Sequence, residues 1–230
     1  MKKLLPLFFV LAISFTQAQD KSALAAHFEA YYQAMKSQGD VNGVINALTH
    51  LNVLNPSQER IDTLGYIYMN SGQHEQALRT VGIENDDKAS DLAVQVKAVS
   101  LKAINQPKRA QEQFEILFSR NANAYLAYEL ADLMIQNGDN TKAAEKIEYG
   151  IANAPADMKY AFFERQQPYE VSIKAAFLHL KGLLTYNNAP DKIDDALALV
   201  NQALQMEPKF NLASLSRQAL ESRKAEANKQ

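Results

Sequence analysis

Apolar and polar positions along this chain predict short helices rather than strands, and residues 61–77 show the pattern best. Gly65 and Ala77 are small residues at positions where two antiparallel helices would have to come close. Gly72 lies between them and can adopt the left-handed backbone conformation that ends a helix. Because the chain has only 8 Gly and 7 Pro and no dominant two-residue alternation, most of it is expected to be helical.

The same register recurs along the chain, at starts near residues 25, 58, 91 and 124, which are 33 residues apart. It breaks after residue 155 and resumes near residue 175, with about two extra residues in the turn at 187–190. Equal spacing over four units indicates an internal repeat. Asn-Ala-Pro in the later turn favours a break between helices, since Pro disfavours helix at the residue before it.

Leu64-Gly65, Tyr68 and Ala77 resemble the L-G-x2-Y and A-x3-F signature of the tetratricopeptide repeat (TPR), whose period is about 34 residues. The resemblance implies an all-α, right-handed superhelical solenoid of about five helix-turn-helix units that binds other proteins. The chain departs from the family pattern because it has no Trp. Gly82 and the acidic run after it also shorten the rear helix of the second unit. The expected units are near 25–57, 58–90, 91–123, 124–155 and 175–208.

The two ends of the chain carry their own predictions. Lys2 and Lys3, an apolar run of about a dozen residues and a small residue at Ala18 predict a secretory signal peptide over 1–18. An uncleaved anchor is the alternative, but the run falls short of the about 20 residues that span a bilayer. At the other end, residues 209–230 are expected to form a helix that caps the last repeat, or alternatively a recruitment helix. Its apolar side would carry Phe210, Leu212, Leu215, Ala219 and Leu220.

These ends predict one mature domain, 19–230, exported to the periplasm or secreted and with no stable membrane insertion after signal cleavage. No Cys follows the signal, which excludes a lipid-anchored lipoprotein. Removing the two lysines moves the formal net charge from -2 to -4, with 22 basic and 26 acidic residues. That mixed, mildly acidic balance gives no reason to expect nucleic acid or anionic lipid as a partner.

Candidate chemistry is sparse, so we predict no enzymatic activity, no cofactor and no metal. The four histidines fall on different units without the spacing of a metal site. The chain has no Cys, no nucleophile elbow and no phosphate-binding glycine loop. Paired acids such as Asp194-Asp195 lie at expected helix starts, where they complement the helix dipole.

Residues 156–174 do not fit the repeat and form an insertion between the fourth and fifth units. Aromatic and β-branched flanks allow a short β-hairpin whose turn holds Gln167-Pro168, and a helical turn from Met158 to Arg165 is the alternative. The insertion would either pack over the joint between the two units or bind a partner. The residues concerned are Tyr160, Phe162, Phe163 and Tyr169.

The TPR resemblance further implies a concave groove lined by the front helix of each unit. Tyrosines there would supply large contact areas at little entropic cost, although Tyr125 or Tyr186 could instead belong to helix packing. The set of Lys and Asn residues with which some family members clamp a chain-terminal carboxylate is missing, so an acidic peptide terminus is not expected. Its Asn positions hold Gln33, Tyr66, Val99, Asp132 and Leu183. The expected groove residues are Tyr66, Met69, Asn70, Gln95, Lys102, Tyr125, Tyr128, Asp132, His179 and Tyr186.

The function expected from these patterns is a non-catalytic scaffold that holds a segment of another envelope protein, or a peptide, in the groove. Two alternatives stay open from the sequence. The groove could carry a small apolar or glycan ligand, or an open repeat face could drive self-association.

Overall fold

Helices in antiparallel pairs make up most of the chain, and one β-hairpin interrupts them. The computed structural model describes the backbone of residues 5–227 and the side chains from Lys21 onward. The chain divides into two compact units, up to Ile104 and from Asn105 onward. The first unit holds α1 (Leu5–Gln38), α2 (Val41–Leu54), α3 (Gln58–Asn70), α4 (His74–Val81) and α5 (Asp91–Ala103). The second holds α6 (Pro107–Arg120), α7 (Ala124–Asn137), α8 (Asn140–Asn153), β1 (Lys159–Phe162), β2 (Tyr169–Ser172), α9 (Ile173–Asn188), α10 (Ile193–Met206) and α11 (Asn211–Ala227).

Similar caps start three of the helices at a constant interval. α3, α5 and α7 begin 33 residues apart, and each follows a side chain that accepts a backbone N–H of the first turn. Ser90 Oγ accepts from the Ala93 N–H at 3.0 Å, and Asn123 Oδ1 accepts from the Leu126 N–H at 2.9 Å. Such caps satisfy N–H groups that the helix itself leaves unpaired.

Two predicted glycine roles in the first unit are confirmed. A Cβ on Gly65 would collide with the Val81 side chain of α4, so the close approach of α3 and α4 requires glycine there. Gly72 has φ +73°, and the Gly72 N–H donates to the Met69 carbonyl at 3.0 Å, which ends α3. The short rear helix of the second repeat is also confirmed, because α4 spans 8 residues and is followed directly by Gly82, whose φ is +80°.

Aromatic and small side chains set the packing of the second unit. Gly150 of α8 lies directly against the Phe177 ring of α9, where a Cβ would overlap the ring. α11 packs on α10, with Phe210 and Ala213 fully buried and Leu220 at 4% exposure. Leu215, which was expected on the buried side of this helix, is instead 51% exposed.

The structure decides the conformation of the insertion in favour of the hairpin. β1 and β2 pair antiparallel, with Lys159 opposite Ser172 and Phe162 opposite Tyr169. The alternative helical turn from Met158 to Arg165 is therefore wrong.

The structure describes the predicted signal peptide only in part. Residues 1–4 and 228–230 are outside the described backbone, and residues 5–20 are described only as helix backbone at the start of α1. Signal cleavage and export therefore stay predictions. Among the described residues, no helix is both long and apolar enough to cross a membrane.

Candidate functional site

The hairpin lies with one face on the helices of the second unit. Side chains alternate between the two faces of a strand, so Tyr160 and Phe162 of β1 share a face with their partners Val171 and Tyr169 of β2. Phe162 is 7% and Val171 2% exposed. Phe163, the next residue along the chain after β1, is 73% exposed.

Tilted and edge-to-face ring contacts join this buried face to α7, to α9 and to the residue before α11. The Tyr160 ring centroid lies 4.2 Å from that of Tyr128 in α7, and the Phe162 centroid lies 5.0 Å from that of Phe210, just before α11. Phe177 of α9 meets Tyr128 edge to face at 5.5 Å. We call this set the aromatic cluster: Tyr125, Tyr128, Tyr160, Phe162, Tyr169, Phe177, His179 and Phe210.

A buried carboxylate holds β1 onto α7. Glu129 is 3% exposed, and its Oε1 accepts a hydrogen bond from the Tyr160 hydroxyl at 2.7 Å. Tyr125 also bonds to this carboxylate. Burial raises the pKa of the Tyr160 hydroxyl, and the Glu129 charge raises it further, so the hydroxyl stays protonated and remains a donor. Charge-assisted bonds of this kind are stronger than neutral ones, and they fix the hairpin on the helix.

Two further carboxylates fasten the other strand. Glu207, at the end of α10, accepts from the Ser172 N–H at 2.7 Å and from Lys159 Nζ at 3.0 Å. These donors, the backbone N–H above all, hold the Glu207 pKa below its usual range. Glu164 in the turn accepts from the Tyr169 hydroxyl at 2.6 Å. Burial and this bond raise the pKa of Tyr169 to about 12.

Solved structures share this arrangement of helices at low sequence identity. YrrB, described as a TPR protein with an unusual peptide-binding site, superposes with a TM-score of 0.66 at 14% identity, covering 89% of this chain and 97% of its own. MamA gives 0.61 at 20% identity, covering 80% and 92%. PilF of Pseudomonas aeruginosa gives 0.57 at 14% identity, covering 93% and 96%. The chain has the TPR fold. It is an all-α helical-repeat solenoid, as its resemblance predicted. No family model matches the sequence, and no curated protein matches it either.

Within this TPR fold, the second unit buries two of its five expected groove side chains and half-buries two others. Tyr128 and His179 are each 4% exposed, so a partner cannot contact them and their placement in an open groove is wrong. Tyr186 is half-buried, and its hydroxyl accepts from Arg223 of α11 at 3.1 Å. Tyr125 alone of these tyrosines stays 40% exposed. Asp132 is half-buried and accepts from Gln136, one helical turn later.

His179 serves as an interior residue of the aromatic cluster. Its Nε2 lies 2.8 Å from the Ser216 hydroxyl of α11, and its ring meets Phe210 edge to face at 5.1 Å. Burial lowers the pKa of His179 to about 4, against a small opposing effect of the Asp132 charge. The imidazole is therefore neutral at physiological pH.

The first unit exposes part of its predicted set. Met69 is 7% exposed and packs against Ala77 and Val96 in the core, so its assignment to the groove surface is also wrong. Tyr66 is 37% exposed, and Asn70, one turn later on α3, is exposed as well. On α5, Gln95 is exposed and Lys102 is half-buried.

The insertion residues divide between packing and exposure. Tyr160, Phe162 and Tyr169 belong to the aromatic cluster, which agrees with the packing alternative, whereas Phe163 is free of it. Sequence reasoning missed Glu129 and Glu207. Glu129 could have been found, because it is a charged residue inside the apolar run 126–131 that forms the buried side of α7.

The described side chains show no group of three or more His, Cys, Asp and Glu placed to hold a metal ion. What the site does offer is a rigid, buried polar network beneath an exposed aromatic side chain. Such an arrangement is suited to presenting a surface.

Proposed function

We propose that the protein is a non-catalytic scaffold of the bacterial envelope, which holds a segment of another protein on the front helices of its repeats and on the hairpin of residues 156–174. The observation that carries this is the exposure of Phe163 and Tyr125 beside a hairpin that the aromatic cluster holds rigid. Large aromatic side chains on a rigid support are typical anchors of protein interfaces. The peptide-binding site for which YrrB is described supports the same class of function for this fold.

A second exposed surface lies in the first unit. Tyr66 and Asn70 are four residues apart on α3 and therefore share a face, and both are exposed. Gln95 of α5 belongs to the same set of front-helix residues in the proposal. The envelope location rests on the signal-peptide pattern of residues 1–18.

The carrier of a small ligand is less well supported. Rings of the hairpin fill the space next to Tyr128 and Phe177, where a small apolar molecule would have to enter. A groove filled by the chain's own side chains favours a partner that binds on top of it.

The test is affinity capture from an envelope extract of the native host. The baits are the wild-type protein, a variant with Phe163→Ser and Tyr125→Ser, and a matched control with Val53→Ser. Val53 is 79% exposed on α2, away from the hairpin along the chain. We expect a defined protein on the wild-type and control baits, and at least about a tenfold loss on the double variant, since hot-spot anchors contribute about 2 kcal/mol or more each.

Capture of the same protein by all three baits would move the site away from the hairpin, with Tyr66→Ser as the next variant. Capture of nothing by the wild type would contradict the scaffold. The location is tested separately, by fractionating cells that express the full chain or a chain lacking residues 1–18.

A further inference from the structure

The hydrogen-bond pattern of the hairpin defines which backbone groups face outward. The Ile173 N–H donates to the Met158 carbonyl at 3.0 Å, which makes these two residues a hydrogen-bonded pair. Such pairs alternate with non-bonded pairs along an antiparallel ladder. In the observed register, Lys159 and Ala161 of β1 therefore direct their N–H and C=O groups away from β2. Ser172 of β2 is opposite Lys159 and therefore also belongs to a non-bonded pair. As expected, its N–H points away from β1 and donates to Glu207.

The two edges of the hairpin differ. On the β2 edge, the carboxylate of Glu207 covers the end at Ser172, as its bond to the Ser172 N–H shows. For the β1 edge, no hydrogen bond from another part of the chain reaches the outward backbone groups of Lys159 and Ala161 within residues 5–227. An unpaired strand edge is a template for another strand. Ala161 is half-buried, which makes an unpaired amide there more costly than one in open water.

The surroundings of this edge favour an apolar neighbour. Tyr160 of β1 contacts Tyr125 of α7, with ring centroids 5.7 Å apart. Because side chains alternate between the two faces of a strand, every second side chain of an added strand would lie on the face of the hairpin that meets Tyr125. Phe163 stands at the end of the same strand and is 73% exposed.

We propose that the partner binds by adding a third strand to β1. The occupant is an extended segment of about five residues, with an apolar or aromatic side chain at every second position, directed at Tyr125. This inference rests on the proposed function and specifies the conformation of its partner. Only an extended backbone offers matching donors and acceptors, because a helix uses its own N–H and C=O groups internally.

A second copy of the chain is a poorer occupant. Two copies that paired through their β1 edges would form one four-stranded sheet. In each copy Tyr125 and Tyr128 of α7 lie against β1, so both α7 helices would have to lie beneath that one sheet. A free segment meets no such obstacle.

The probe is a phage-displayed library of random twelve-residue peptides, selected on the purified protein. Enriched peptides are synthesised, and their affinities are measured by fluorescence anisotropy for the wild type and two proline variants. Ala161→Pro removes one outward N–H from β1, and Glu170→Pro removes the corresponding N–H from the opposite edge. Proline is tolerated at strand edges when its position faces outward, so thermal unfolding and circular dichroism should show both variants folded.

We expect Ala161→Pro to weaken peptide binding at least about tenfold and Glu170→Pro to leave it within about twofold. A second measurement needs no variant of the protein. Methylating successive backbone nitrogens of a bound peptide should weaken binding at every second residue only, because alternate N–H groups of an added strand face β1.

Equal affinity for all three proteins, together with an N-methyl scan lacking a two-residue period, would overturn strand addition and leave the scaffold function standing. Dimerisation that Ala161→Pro abolishes, measured by sedimentation, would also overturn it in favour of a second copy. Failure to enrich any peptide would count against strand addition, while the capture experiment decides on the scaffold function independently.

Discussion

Phe162 and Phe163 are adjacent phenylalanines with opposite surroundings, and their alanine variants test the whole account of the hairpin. Phe162 is 7% exposed, and its ring contacts three other rings. The centroid distances are 5.0 Å to Tyr160, 5.0 Å to Phe210 and 5.6 Å to Tyr169. Phe163 is 73% exposed. The two substitutions are chemically identical, so any difference comes from position alone.

The size of the effect follows from burial. Truncating a buried Phe to Ala costs about 3–5 kcal/mol, and aromatic pairs add about 0.5–1.5 kcal/mol beyond their area. The chain can respond to Phe162→Ala by releasing the hairpin rather than by unfolding as a whole. We therefore expect a loss of about 3 kcal/mol in hairpin docking, which corresponds to a rise of roughly a hundredfold in the undocked population. Phe163→Ala should change stability by no more than about 0.5 kcal/mol.

Limited trypsin digestion reads out this local opening. Arg165 lies in the exposed turn of the hairpin, and cleavage after it should track the undocked population when opening is fast relative to cleavage. Urea unfolding followed by tyrosine fluorescence gives the global stability in parallel, and the chain has no Trp to complicate that signal. Cleavage at Arg165 should accelerate strongly in Phe162→Ala and remain near wild-type speed in Phe163→Ala.

Similar cleavage rates and similar urea midpoints for the two variants would contradict the predicted difference between Phe162 and Phe163. Such a result would mean that the ring contacts of Phe162 do not hold the hairpin. The aromatic cluster would then be no support for the strand edge.

Three further predictions concern the interior of the second unit. Tyr160→Phe removes one donor from the buried carboxylate of Glu129 and should destabilise the protein by about 1–3 kcal/mol in urea unfolding; an unchanged midpoint would contradict the bond's role. Gly150→Ala drives a methyl into the Phe177 ring and should cost about 1–2 kcal/mol net, so a higher melting temperature would be the contrary result. In the folded protein His179 has a pKa of about 4, whereas in the unfolded chain its pKa is near 6.5. Stability should therefore fall by about 2 kcal/mol between pH 7 and pH 5 and not rise, and His179→Gln should remove most of that slope.

Much of the fold could be predicted because it depends on local signals. The close approach of α3 and α4 requires a residue without a side chain at Gly65, and the turn at Gly72 requires a positive φ. Glycine meets both requirements, and the two glycines stand at a fixed spacing in the sequence. The short α4 followed from Gly82 in the same way. Because the unit repeats, the same local signals recur at the same spacing, and each recurrence tests the predicted register again.

The surface assignments failed where distant parts of the chain cover a helix. Tyr128 and His179 were placed in an open groove by their register within a single repeat. The hairpin covers Tyr128, and Phe210 with α11 covers His179. Which helix a terminal segment or an insertion covers is set by tertiary packing, and the pattern of one repeat carries no information about it. The surface assignment of Met69 failed for a local reason. Met69 lies at the end of α3 next to the turn, where its side chain faces α5 and packs against Val96.

The polar contacts decide whether the hairpin is a permanent part of the surface or a lid that opens. Lifting it would leave the Glu129 carboxylate without its Tyr160 donor and would expose the Phe162 ring. It would also break the bonds that Glu207 accepts from Ser172 and Lys159. Each of these losses costs on the order of 1 kcal/mol or more. They occur together, because a single hairpin makes all of these contacts. A partner that had to displace the hairpin would lose that much affinity before making its first contact, whereas a partner that adds to the β1 edge loses none. The same contacts that hold the hairpin over Tyr128 and Glu129 therefore make the strand edge the more favourable place to bind.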